Sequence, residues 1–182
     1  YSIPVRDDHR GAIDGRRARR GEPMIHDDGG TAAVTTLLML PLLLVVLVGA
    51  LELGAVRAVA YRAAAAADLA TIVAVGDQDQ AELARTGKLR LATDAVDTAR
   101  DYFARNLAAT APALAANISD IAASADIASF PSAPTIDPRT GVRYDSPTVR
   151  LIASVPVRTP GFAALLMPAV TTVTIRSASS AR

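Results

Sequence analysis

Thr31–Leu51 reads TAAVTTLLMLPLLLVVLVGAL, without a single charge and with hydroxyls only at Thr31, Thr35 and Thr36. As a helix rising 1.5 Å per residue, this run covers roughly 30 Å, the hydrocarbon thickness of a bilayer. A buried helix of a globular core is the alternative, but such apolar runs usually stop at about 10–14 residues. The run therefore predicts a transmembrane segment at residues 31–51. Pro41 is compatible with it, because the neighbouring backbone and the Thr36 hydroxyl can absorb one lost hydrogen bond. A mild kink between Leu37 and Pro41 is expected.

On the N-terminal side, residues 1–30 mix Arg6, Arg10, Arg16, Arg17, Arg19 and Arg20 with Asp7, Asp8, Asp14, Glu22, Asp27 and Asp28. Glycines and prolines interrupt any periodicity, so a disordered tail is expected. Arg16, Arg17, Arg19 and Arg20 stand before the run and only Arg57 and Arg62 shortly after it. Counting positive charges places the tail in the cytoplasm and the C-terminal part outside. The acids of the same tail argue against a nucleic-acid patch. A removable signal sequence is disfavoured by the length of the run and the lack of an obvious Ala-x-Ala site, although the alanines of Ala58–Ala67 blur that test. The chain starts at Tyr1 rather than Met, and an incomplete cytoplasmic end is expected.

The 182 residues suffice for one small domain and an anchor. Aromatics make up 4% of the chain and tryptophan is absent, so a modest core built on Ala and Val is expected. Without cysteine there are no disulfides, thiolate metal sites or cysteine nucleophiles. A net charge of +1 gives no global field for nucleic acid.

Beyond Leu51 the helical character continues through the alanines of Ala63–Ala67. Val56, Ala60, Ala63, Ala67 and Ala70 form a narrow smooth stripe, which suits either the chain's own second helix or a helix of another protein. Glu52 stands at the membrane boundary, where Arg57 or a lipid headgroup is its expected partner. Gly76-Asp77 is the expected stop, so the ectodomain part of this helix covers about 52–75. A second, amphipathic helix is expected over 80–108. Its apolar face carries Leu89, Ala92, Val96, Ala99, Phe103 and Leu107; Arg90, Asp94, Asp97, Asp101 and Arg105 take the other. Ala111-Pro112 should end it.

Weak alternation places a strand within 118–129, and Asp137-Pro138-Arg139-Thr140-Gly141 is a turn signal. Clearer alternation marks strands at 148–157 and 171–177, with Val173 and Ile175 facing inward in the latter. Pro156 suggests an edge position. Pro160–Leu166 reads as a short apolar connector. The expected fold class is α+β: a long N-terminal transmembrane helix continuing into the ectodomain, a second amphipathic helix, and a small antiparallel β-sheet at the C-terminus. Residues 52–182 would form the extracytoplasmic α+β domain.

The only histidines, His9 and His26, precede the apolar run. The exported part thus has neither imidazole nor thiol for triad catalysis or for His/Cys metal sites. Asp94 and Asp97 on a solvated helix face do not make a metal pair. Asp120, Asp126, Asp137 and Asp145 are scattered, with nothing to pair them as hydrolytic carboxylates. Gly29-Gly30 lacks the strand-turn-helix setting of a phosphate loop. Asn117-Ile118-Ser119 matches a glycan acceptor, a pattern common by chance. No catalytic residue, cofactor, metal or small-molecule substrate is expected, and the chain does not read as an enzyme.

A basic, Gly-ended tail followed by Gly30-Thr31-Ala32-Ala33-Val34, then Leu40-Pro41, Glu52-Leu53-Gly54 and Ala65-Ala66-Ala67-Asp68, resembles the TadE/TadG-like family of tight-adherence (Flp) pilus systems. The likeness covers about residues 15–75 and extends less specifically to Val157-Arg158-Thr159-Pro160-Gly161-Phe162 and Val173-Thr174-Ile175. It implies a single N-terminal anchor in the inner membrane, an extracytoplasmic domain and a role in building or secreting a pilus. Its partners would be pilus subunits and membrane platform proteins, besides the bilayer. Prepilin-like members carry a glutamate five residues after the cleavage site, whereas a cut after Gly30 would put Thr35 there. That departure favours an uncleaved assembly factor or minor component over a major subunit. The competing class is an anchored ligand-binding or sensor ectodomain, for which the aromatic-poor composition offers little to line a pocket.

Overall fold

A computed structural model describes residues 29–181. The expected disordered tail, its arginine run and both histidines lie outside the described residues, apart from Gly29 and Gly30, which are helical. The chain divides into two compact units, Tyr1–Met39 and Leu40–Arg182. In the first, the described residues are helical, and the Thr35 and Thr36 hydroxyls donate to the carbonyls of Thr31 and Ala32 at 2.8 Å each. The second holds the α+β domain.

Helix α1, Gly29–Gly76, is one continuous element of 48 residues that passes through Pro41. It ends at the expected glycine. Two stretches of this helix have opposite environments. Leu40, Leu42, Leu43, Leu44, Val45, Val46 and Leu47 are all exposed, whereas Val59, Ala63, Ala66, Ala67, Ala70 and Ala74 are buried. Small side chains explain the second half, since alanine keeps helix propensity high while letting another layer approach closely. The smooth stripe is thereby assigned to the chain's own core: Ala63, Ala67 and Ala70 cluster with Phe103, Leu107, Leu151, Val155 and Ile175, and Val56 packs at the margin.

Strands β1 (Asp126–Phe130), β4 (Thr148–Arg158) and β5 (Val170–Ser180) form an antiparallel sheet in the order β1-β4-β5. Strands β2 (Thr135–Ile136) and β3 (Arg143–Tyr144) make a separate hairpin around the expected turn. Alternation in β4 puts Val149, Leu151, Ala153, Val155 and Val157 into the core. Ile175 of β5 is buried as expected, with Val173 partly buried against the same cluster. Helix α1 and β5 lie side by side. Thr71 Oγ1 is 3.0 Å from Ser177 Oγ and 2.9 Å from Ser179 Oγ, while Glu52 meets the β4–β5 connector at the other end. The spacing agrees: Glu52 to Thr71 spans roughly 28 Å of helix, and Val170 to Ser179 roughly 30 Å of strand.

The edge expectation for Pro156 needs refinement, because β4 is the central strand. β1 pairs only with Thr148–Ile152 of β4, so its flank beyond is free of β1. The Pro156 carbonyl accepts from Ala115 N–H on that flank at 2.9 Å. In a strand the N and O of one residue point the same way, so the missing N–H of Pro156 falls where no ladder runs.

Two expectations are corrected. The helix expected over 80–108 is two helices, α2 (Gln80–Thr86) and α3 (Ala95–Leu107). Gly87, at φ 69°, closes α2 with its N–H on the Leu83 carbonyl, and the Asp79 carboxylate caps the start by accepting from Glu82 N–H. Leu91 then pairs as an extended residue with Gln78. The helical register restarts at Ala95, so Ala95, Ala99, Phe103 and Leu107 form the buried face and Val96 does not. A turn of 3-10 helix, Ala108–Ala113, carries Pro112. The strand expected within 118–129 begins as a helix, α4 (Ile118–Ser124), before β1 starts at Asp126. Ile118, Ile121 and Ala122 fit the helical spacing, and burial of Ile121 and Ala122 outweighs the β preference of isoleucine.

Candidate functional site

Three features stand out among the described residues: an uncovered apolar stretch, a junction where it meets the α+β domain, and a buried charge cluster. The uncovered stretch comes first. None of the most apolar window of α1 is buried within the chain, and α1 is the one described helix long and apolar enough to cross a membrane. A core helix would bury these side chains; here Leu43 is 63% exposed and Val46 64%. This stretch is thus no core helix of the described α+β domain, and it fits a single membrane span.

The junction lies at the end of that stretch. Glu52 does not pair with Arg57. Its Oε1 instead accepts the N–H of Gly161, in the first turn of the short helix α5 (Pro160–Ala164). An unpaired N–H at a helix start is a natural partner for a carboxylate. The approach is close: a Cβ at Gly161 would lie 2.6 Å from Glu52 Oε1 and 2.9 Å from Val48 Cγ1, so a side chain there would have to displace the Glu52 carboxylate. Beside this contact runs a groove of about 1080 Å³, lined by Val48, Leu51 and Ala55 of α1, Pro112, Ala163 of the connector and Val170 at the start of β5. Glu52 and Arg158 also line it.

The charge cluster sits on the opposite face of the sheet, under the β2–β3 hairpin. Arg150 Nη1 donates to Asp126 Oδ2 at 2.8 Å, and its Nε lies 2.8 Å from Asp137 Oδ2. The second contact is an ion pair only, since the Nε–H has no aligned acceptor. Arg139 Nη1 reaches the same Asp126 oxygen at 2.6 Å. The side chains of Arg150 and Asp137 are 6% and 1% exposed. Asp126 and Asp137, expected to be unpaired, are therefore joined through Arg150. This is a correction. Two carboxylates balanced by two guanidiniums, Arg150 between them and Arg139 on Asp126, form a structural clamp.

Burial pushes the Asp137 carboxyl up, but the Thr140 hydroxyl, the Arg139 N–H and the Arg150 guanidinium outweigh it and hold its pKa below the usual value of 3.8. A pKa depressed on folding contributes stability above the unfolded-state value and loses it as pH falls through the folded value. The clamp should hold at neutral pH and weaken only below about pH 3.8. Thermal unfolding of the detergent-solubilised chain between about pH 5 and about pH 2 checks this, with a shallower acid slope expected for Asp137→Asn. An equal slope in both proteins would remove Asp137 as the titrating group.

The other candidates stay apart. Asp94 precedes α3 without a side-chain cap, and Asp97 pairs with Arg100 at 3.0 Å. Asp101 lies 3.8 Å from Arg105 on an open surface, a pair of little energetic weight. Asp120 accepts from Asn117 and Asp145 from Arg143. Among the described residues no three His, Cys, Asp or Glu side chains gather as metal ligands. Sequence reasoning missed the Glu52–Gly161 contact; a lone carboxylate beside a long apolar run, with Pro-Gly later in the chain, was the available signal. No family model, curated protein or solved structure matches the chain.

Proposed function

We propose that the protein is a single-pass membrane component of a tight-adherence (Flp-type) pilus or a related secretion machine, an assembly factor or minor pilin-like subunit that acts through protein contacts. One observation carries the membrane part. The same unbroken helix leaves its apolar half uncovered and threads its alanine half through the core of the α+β domain. A cut near Ala58–Ala67 would run through Ala63, Ala66 and Ala67, all buried, which favours retention of the anchor over its removal as a signal. The positive-charge count supports a cytoplasmic tail and an extracytoplasmic domain in the inner membrane. The pilus assignment rests on the sequence resemblance. A role without catalysis accords with a domain sequence that lacks histidine and cysteine after the span.

Mild detergent extraction of cells and affinity recovery of this chain tests the proposal. Pilus subunits or inner-membrane platform proteins should come with it. Recovery of the chain without either class would count against the pilus role and leave the anchored ligand-binding domain as the better reading.

A further inference from the structure

We infer that the β4–β5 connector, Pro160–Val170, is a second membrane-contacting element, an apolar loop seated in the interfacial layer of the bilayer beside the last turn of the span. The inference rests on the reading of residues 31–51 as that span. Position is the first argument. Gly161 is held against Glu52 and Val48, so the connector lies at the level where the apolar run ends. Because β5 then runs alongside α1 toward Thr71, the connector is the membrane-proximal end of the sheet.

Chemistry is the second argument. PGFAALLMPAV contains no charged residue, and only backbone polarity interrupts it. Leu166 is 98% exposed, with Met167 and Val170 about half exposed. Leu166 also adopts φ 60°, a left-handed conformation that leucine rarely takes. A bulky apolar side chain held in that conformation and presented outward contributes nothing to the core of the domain. Next to lipid it buries its surface at once. Arg158, just before the connector and exposed, is placed to meet headgroup phosphates while the loop lies among the upper acyl carbons. The apolar groove between the connector and Val48–Ala55 opens at the same level, so acyl chains are its occupant. Continuity with the span selects lipid over a protein partner: the apolar surface of the loop and that of α1 meet at Val48.

The absence of tryptophan makes the test clean. Full-length variants Leu166→Trp and Met167→Trp are reconstituted in phosphatidylcholine–phosphatidylglycerol vesicles with acyl chains brominated near the headgroup. Leu43→Trp reports on the span and Ile136→Trp on the exposed tip of the β2–β3 hairpin. The two connector tryptophans should lose about half their emission to bromine, as expected for side chains roughly 5–10 Å into the interface, while Ile136→Trp stays unquenched. If the connector tryptophans are quenched by aqueous acrylamide and not by bromolipid while Leu43→Trp responds to bromolipid, the inference is wrong and the span stands. Connector tryptophans shielded from both quenchers would mean that protein covers the loop, which also overturns it. An unquenched Leu43→Trp would remove the span and the inference together.

Discussion

Leu43→Arg combined with Leu47→Arg is expected to release the chain from the membrane fraction. An arginine at the centre of a transmembrane helix costs about 2.5–3.5 kcal/mol on the insertion scale; Leu43 is near the centre and Leu47 nearer the end, so the pair costs at most about 5–7 kcal/mol. At 1.4 kcal/mol per tenfold, that shifts the partition by up to roughly four to five orders of magnitude. Both side chains are exposed, Leu43 at 63% and Leu47 at 48%, so neither change removes a contact from the core of the α+β domain. The measurement is the share of chain that sediments with membranes after alkaline carbonate washing. A double variant that sediments like the parent would show that something other than this stretch holds the chain to membranes.

The second large effect is expected inside the domain. Arg150→Ala should destabilise it by about 3–5 kcal/mol, the typical result of removing one partner of a buried ion cluster. The loss arises because Asp137, with its side chain 1% exposed, would keep its burial and lose its cation. Arg139 could not replace it, since it reaches Asp126 from a largely exposed position. For a domain of this size the melting temperature should fall by roughly 10–20 °C. Circular dichroism of the purified chain in detergent reads the shift. Adding Asp137→Asn to Arg150→Ala should recover part of the loss, because an amide in that site carries no charge to strand. A change within about 0.5 kcal/mol, as for an exposed pair, would mean that the cluster is not buried as described.

Junction and clamp were illegible in the sequence for the same reason. Glu52 and Gly161 stand far apart in the chain, and a carboxylate at a membrane boundary reads equally well as solvated or paired with a nearby arginine. Arg150 occupies the polar side of an alternating strand, the pattern of a solvated residue. Its burial depends on the β2–β3 hairpin folding over it, and no local rule forecasts that. Gly87 and Asn117 failed differently. Each carries a local signal, a helix stop and a helix start, that a longer amphipathic or alternating pattern overrode.

By itself the sequence determined the features that follow from short-range physics. An uncharged run long enough for a bilayer, an alanine-rich helix ending at Gly76, and the period-two strands β4 and β5 each arise within a single segment. Fold class followed from their order. Tertiary structure alone decided what covers the smooth stripe of α1, which strand sits in the middle of the sheet, and which charges meet. Those choices depend on desolvation and packing between segments distant in the chain, where the energy of a side chain is set by what lands on it rather than by its neighbours in sequence.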